Sequence, residues 1–220
     1  MKKYLQLVII FLFIFLCTGC VKFEENMTIK NNKSMNLELV VATDVIGLKS
    51  DMFNDNEINN LSKFYSVSKY KDEKYSGYKL LWKTSNIDKI SSSSDVVYSL
   101  SSIRESVPTN MFKVVKGFFS NTYYANFIFD PSNVESIYDE NKNDLTFSVD
   151  LGKESLDNNA DKVKNDGKRL IWNLNSNDIT EMSFSFKLYN YSRIVGVIIF
   201  GIIIFSLMVI SYKKILEKRV

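Results

Sequence analysis

An uncharged stretch at residues 194–212, IVGVIIFGIIIFSLMVISY, constrains this chain more than any other feature. A helix rises about 1.5 Å per residue, so about 19 apolar residues reach across a bilayer core of about 30 Å. A core helix of a soluble protein is the alternative, but such helices are normally shorter and carry a polar face. Lys213, Lys214, Lys218 and Arg219 follow the stretch, while Arg193 alone closely precedes it. Excess positive charge stays on the cytoplasmic side, which predicts a single span with everything before Arg193 outside the cell.

The first residues have the three-part form of a secretory leader. Lys2 and Lys3 give a charged start, and residues 7–16 give an apolar run too short to span comfortably as a mature helix. The run ends in Leu16-Cys17-Thr18-Gly19-Cys20. This is similar to a bacterial lipobox, with Cys20 as the lipidated residue and Cys17 standing where Leu is usual. An uncleaved signal anchor is the competing reading and would make both termini cytoplasmic. Cys17 and Cys20 are the only cysteines, so a mature domain beginning at Cys20 holds neither a disulfide nor a free thiol. A CxxC metal or redox site would need further ligands that the chain does not offer beside its leader. The expected organisation is a leader at 1–19, an extracytoplasmic domain at 20–190, a transmembrane helix at 191–213 and a cytoplasmic tail at 214–220. Lipid on Cys20 and the helix would then tie both ends of the domain to one membrane.

The part left to fold is roughly 170 residues, one ordinary domain. The formal charge of +3 is spread among interspersed acids and bases, which builds no field for nucleic acid. No histidine occurs, so the commonest metal ligand and general base are both missing. The serines at 91–94 have no base motif near them, and the carboxylates at Asp72-Glu73 and Asp139-Glu140 sit in polar loops. Neither pattern supports catalysis, so no enzyme activity, cofactor or metal is expected.

Alternation of apolar and polar residues predicts a mainly antiparallel sheet with one or two short helices, an α+β domain. Val21, Phe23, Met27 and Ile29 share one face of a first strand, interrupted by Glu25, and Met35, Leu37, Leu39 and Val41 share one face of a second. Ile58, Leu61 and Tyr65 stand at helical spacing, with Asn54 or Asp55 as cap. Strands follow at 67–70, 75–84, 145–151, 170–174 and 182–188, and the serines at 91–94 mark a loop or helix start before residues 96–103. Residues 111–130, MFKVVKGFFSNTYYANFIFD, form the densest apolar segment. A two-residue turn at Ser120-Asn121 would set Phe118 against Tyr123, Val114 against Phe127 and Phe112 against Phe129, with Gly117 as a possible bulge. These six residues are the candidate binding face: either ordinary core, or an apolar groove for a lipid tail or peptide. Tyr189 and Tyr191 fall where aromatic residues favour the membrane interface.

Several motifs together resemble the LppM-like bacterial envelope lipoproteins, in the Gram-positive form with a C-terminal transmembrane helix. They are Cys20-Val21-Lys22-Phe23, residues 35–42, residues 111–130, and Asn165-Asp166-Gly167 followed by Leu170-Ile171-Trp172-Asn173-Leu174. One departure is Gly152 after Leu151, where such sequences often carry proline. The resemblance implies an antiparallel α+β exterior domain without enzymatic activity, acting at the envelope by binding lipid or glycolipid. No residue-level site carries over. The partners expected are therefore the membrane itself and an envelope lipid or a neighbouring membrane protein. The alternative is a structural or assembly subunit, although Gly196 and Gly201 are five apart and miss the GxxxG spacing of close helix pairs.

Overall fold

The computed structural model describes residues 21–44, 55–99, 110–131, 144–175 and 178–217. The leader, Cys20, the predicted cap Asn54, most of the segment 96–103 and the acidic pair Asp139-Glu140 lie outside the described residues.

Two sheets face each other across one core. The first is built from β1 (Val21–Ile29), β2 (Met35–Asp44), β3 (Ser66–Lys71), β4 (Tyr75–Thr84), β9 (Asp144–Leu151), β11 (Lys162–Lys164) and β12 (Arg169–Asn173). The second contains β5 (Ser91–Ser92), β6 (Tyr98–Ser99), β7 (Phe112–Lys116), β8 (Ser120–Phe129), β10 (Asp157–Asn158) and β13 (Thr180–Tyr189). A short helix α1 (Asp55–Leu61) and a 3-10 turn (Ile87–Ile90) complete the domain, and α2 (Tyr191–Glu217) leaves it. The strand order is β11-β12-β9-β1-β2-β4-β3 in the first sheet and β10-β13-β8-β7-β5 in the second, with β6 beside β8.

The predicted class holds, with one addition. Most pairs are antiparallel, but β1 runs parallel to β9, and the short β5 and β6 run parallel to β7 and β8. The β1–β9 pair joins the start of the chain to its second half and makes β1 the central strand of its sheet. Alternation, strict along β1 and β8 and interrupted on β2, β9 and β13 where Val40, Ala42, Ser148 and Ser185 are buried as well, sends one side of each sheet inward. The layers meet ring on ring: Phe23 lies 6.1 Å from Phe129, Phe127 5.4 Å from Phe147, and Trp172 5.9 Å from Phe184. Leu61 and Tyr65, from the predicted apolar stripe that begins in α1, close one flank of this core.

Turns form where the residue chemistry permits. At 165–167 the backbone takes positive φ at Asn165, Asp166 and Gly167, joining β11 to β12 as the Asn-Asp-Gly signal predicts.

The register fixes which end of the domain is which. Val21 pairs with Thr43, Phe23 touches Phe129, and Phe129 pairs with Thr180, so these residues mark one end. Ile29 pairs with Met35, Gly152 N–H donates to the Ile29 carbonyl (2.8 Å), and Tyr189 pairs with Ser120, so these mark the other. The helix α2 starts from that second end. β1 has 9 residues, and at about 3.3 Å each it covers roughly 30 Å. The chain therefore enters at the end opposite the helix root. One leaflet holding both a lipid on Cys20 and α2 requires the strands to run along the bilayer and not along its normal.

Candidate functional site: the aromatic hairpin and the root of the helix

The hairpin of β7 and β8 separates the six predicted residues into two groups. Phe112, Val114, Tyr123, Phe127 and Phe129 are buried, while Phe118 is 61% exposed. Phe112 meets Tyr123, Phe127 and Phe186 edge to face; Tyr123 stacks on Phe186 at 5.1 Å, and Phe127 stacks on Phe184 at 5.9 Å. Each ring thus has rings from β13 or the opposite sheet against it. The five form the interior of the sandwich.

The register differs from the expectation. Val114 pairs with Tyr123, Phe112 with Ala125 and Lys116 with Asn121, so the turn sits at Phe118-Phe119, two residues earlier than predicted. Gly117 is the corner: its N–H donates to the Ser120 carbonyl (2.9 Å), and an added Cβ would stand 2.6 Å from that oxygen. Gly117 therefore marks the end of a strand and not a bulge. A two-residue shift preserves the period of two, so the same side chains still point inward except Phe118, which passes into the turn.

The tip of the hairpin lies against the root of α2. Asn190 N–H donates to the Phe119 carbonyl (2.8 Å), and an Arg193 guanidinium N–H donates to the Phe118 carbonyl (3.4 Å). The guanidinium carbon stands 5.8 Å from the centre of the Phe118 ring, and the Phe118 and Phe119 rings meet edge to face at 4.8 Å. Beside them, Lys153 places its ammonium 4.0 Å from the Tyr189 ring centre, and Tyr189 and Tyr191 are 6.4 Å apart. Phe119, Asn190, Arg193 and Lys153 were not singled out by periodicity. The available signal was only a Phe-Phe pair directly after a glycine, since the span that it meets lies far along the chain.

Just inside this end lies a polar chain. Lys33 forms a 2.7 Å ion pair with Asp88, and Tyr123 O–H donates to the same carboxylate (2.5 Å). Asn121 Nδ2 donates to the Tyr123 oxygen, and Asn190 Nδ2 donates to Asn121 Oδ1, each at 3.4 Å. Burial pushes the Asp88 carboxyl up, but the bonds from Lys33 and Tyr123 outweigh it and hold the group below its ordinary value. Burial and the Asp88 bond both push the Tyr123 hydroxyl up. It remains a neutral donor.

At the far end, Lys22 donates to Tyr70 O–H (2.9 Å), which donates to Asp72 (2.6 Å). Glu24 lies 3.2 Å from the same ammonium. Burial lowers the Lys22 affinity for its proton, but the bonds to Tyr70 and Glu24 reverse the balance and raise it. This arrangement ties the first residues of β1 to the β3–β4 hairpin.

Glu25 is the one fully buried acid among the described residues. It faces the core from β1 between Phe23 and Met27, is fully buried, and neither carboxylate oxygen has a hydrogen-bond partner among the described residues. Burial raises its affinity for a proton well above that of an ordinary glutamate, which favours the neutral form. Among the described residues, no group of three or more His, Cys, Asp or Glu comes together as a metal site.

No family model matches the chain, and no curated protein matches it. Among solved structures, the fold is similar to that of the folded domain of Mycobacterium tuberculosis LppM, determined by NMR. The TM-score is 0.50 at 13% sequence identity, over 79% of this chain and 92% of that one. The likeness is one of fold. It spans nearly the whole of the LppM domain, in line with the antiparallel α+β domain that the resemblance implied.

The segment 191–212 of α2 is long and apolar enough to cross a membrane, with a mean hydropathy of 2.9 and none of its apolar window buried against the domain. A methyl group added at Gly196 or Gly201 would meet no atom within 4 Å, so nothing in the domain packs on them.

Proposed function

We propose that this chain is a single-pass membrane lipoprotein of the cell envelope, anchored by lipid on Cys20 and by α2, with its sandwich outside the cell. Its task is non-enzymatic: the domain binds an envelope lipid, a glycolipid or a neighbouring membrane protein close to the outer leaflet. The observation that carries this reading is the junction at Tyr189-Asn190-Tyr191, where the last core strand passes into the apolar helix through a single residue. A domain joined so closely cannot work far from the bilayer. The likeness of its fold to the LppM domain, and the envelope role that its motifs imply, support the same assignment.

The closed packing of Phe112, Val114, Tyr123, Phe127 and Phe129 favours capture of a ligand at the surface over carriage inside that hairpin. Two fractionations test the anchoring. The Cys20→Ala chain stays in the membrane pellet after an alkaline wash, because a spanning helix holds without help from an acyl chain. The same variant ended after Asn190 is released. Release of the full-length Cys20→Ala chain would refute the double anchor. Lipid extracted from a detergent-free preparation of residues 21–190 distinguishes a lipid ligand from a protein partner.

A further inference from the structure

The hairpin tip carries residues that a turn in water does not select. Two-residue turns draw on Gly, Asn, Asp and Ser, whose small or polar side chains tolerate the backbone and the solvent. Here the turn is Phe118-Phe119, with rings 61% and 48% exposed. Its backbone is not free: both carbonyls are held by the first residues at the root of α2. The tip is thus fixed within one helical turn of the point where the apolar segment begins.

The surroundings match the boundary between lipid headgroups and acyl chains. Tyr189 and Tyr191 flank the junction, 40% and 54% exposed, and aromatic residues gather at that depth in membrane proteins. Arg193 and Lys153 rest on the Phe118 and Tyr189 rings, which leaves their cationic groups beside exposed aromatic surface where lipid phosphates would lie. Rings supply apolar area and cations supply phosphate contacts, all continuous with the surface of the spanning helix.

The geometry points to Phe118 and Phe119 as a membrane-embedded foot: the β7–β8 tip inserts its two rings into the interfacial zone of the bilayer that α2 crosses. This rests on the reading of α2 as a membrane span and adds a contact that the anchors alone do not provide. The helix and a lipid on Cys20 hold the domain at two points and leave it free to roll about the line that joins them. A third contact beside the helix restrains that motion and gives the domain a set orientation.

The test uses the full chain reconstituted into vesicles of phosphatidylcholine and phosphatidylglycerol, with or without lipids brominated on the upper acyl chain. Phe118→Trp is compared with the unsubstituted protein, whose Trp82 and Trp172 supply the background, and with Phe200→Trp in the middle of the helix. Phe118→Trp should add emission that is lost in brominated vesicles and is shielded from acrylamide in both. Equal emission in the two kinds of vesicle, with free access to acrylamide, would overturn the foot. If Phe200→Trp loses emission while Phe118→Trp does not, the foot fails and the span stands. If neither is quenched, the span reading fails as well.

Discussion

The body and the tip of one hairpin use the same residue type for opposite ends. Phe112, Tyr123 and Phe127 lie within a few residues of Phe118 and Phe119, yet the first three are fully buried and the last two stand largely in the open. The period of two decides the fate of the body: its rings alternate with Lys113, Thr122, Tyr124 and Asn126, so one side meets the opposite sheet. At the tip that period ends, and no second layer reaches the rings. What fixes them is the bonding of their backbone carbonyls to Asn190 and Arg193, with no packed layer over the rings. An aromatic run read only as hydrophobic would merge two structures with different energetics.

The contrast is sharpest in stability. Phe127→Ala removes a ring stacked on Phe184 and packed on Phe147 and is expected to cost about 3–5 kcal/mol. Denaturant unfolding of the full chain in mild detergent, followed by tryptophan fluorescence, measures it. A cost near zero would mean that the hairpin body does not form the interior.

Glu25 sharpens the same contrast from inside, being an acid where the layer is otherwise apolar. The folded carboxyl binds its proton more tightly than the ordinary value of 4.5. As pH rises above that value, the unfolded chain loses a proton that the folded chain keeps, so stability falls. The slope approaches about 1.4 kcal/mol per pH unit and continues until the folded group itself ionises. Glu25→Gln should abolish this slope and be more stable than the parent at neutral pH. An unchanged pH profile would mean that the carboxyl finds a partner in solution.

Tyr123 joins the two regions, its ring in the body and its hydroxyl in the chain that leads to the helix root. Tyr123→Phe keeps the stacking and deletes the bond to Asp88, a loss of about 1.5–3 kcal/mol for a bond to a charged acceptor. Urea midpoints of the two proteins give this difference. The smallest effect belongs to the tip: Phe118→Ser should change the unfolding free energy by less than about 0.5 kcal/mol, as for other exposed sites. A larger loss in detergent would place the Phe118 ring inside the fold.

Much of this was legible in residue order. Alternation located β1, β2, β4, β9, β12 and β13, and the spacing of Ile58, Leu61 and Tyr65 located α1. The inward faces of β7 and β8 were also readable, because moving the turn by two residues leaves parity unchanged. The turn itself was misplaced because Ser120-Asn121 has the chemistry of a turn and Phe118-Phe119 does not; the contacts to α2 override local preference. Two features had no local signal. The parallel pairing of β1 with β9 joins residues more than a hundred positions apart, and it places the Val21 end away from the helix root. Burial of Glu25 likewise depends on the second sheet covering a position that a single strand leaves undetermined.

The most direct test of the divided hairpin is photolabelling of the full chain in vesicles with a phospholipid that carries a diazirine on its acyl chain, read residue by residue by fragmentation mass spectrometry. Label should fall on Phe118, Phe119 and the apolar helix, and should spare Phe112, Tyr123 and Phe127. Label concentrated on those three inner residues, with the tip unmarked, would contradict the account and restore the hairpin body as a lipid-admitting groove.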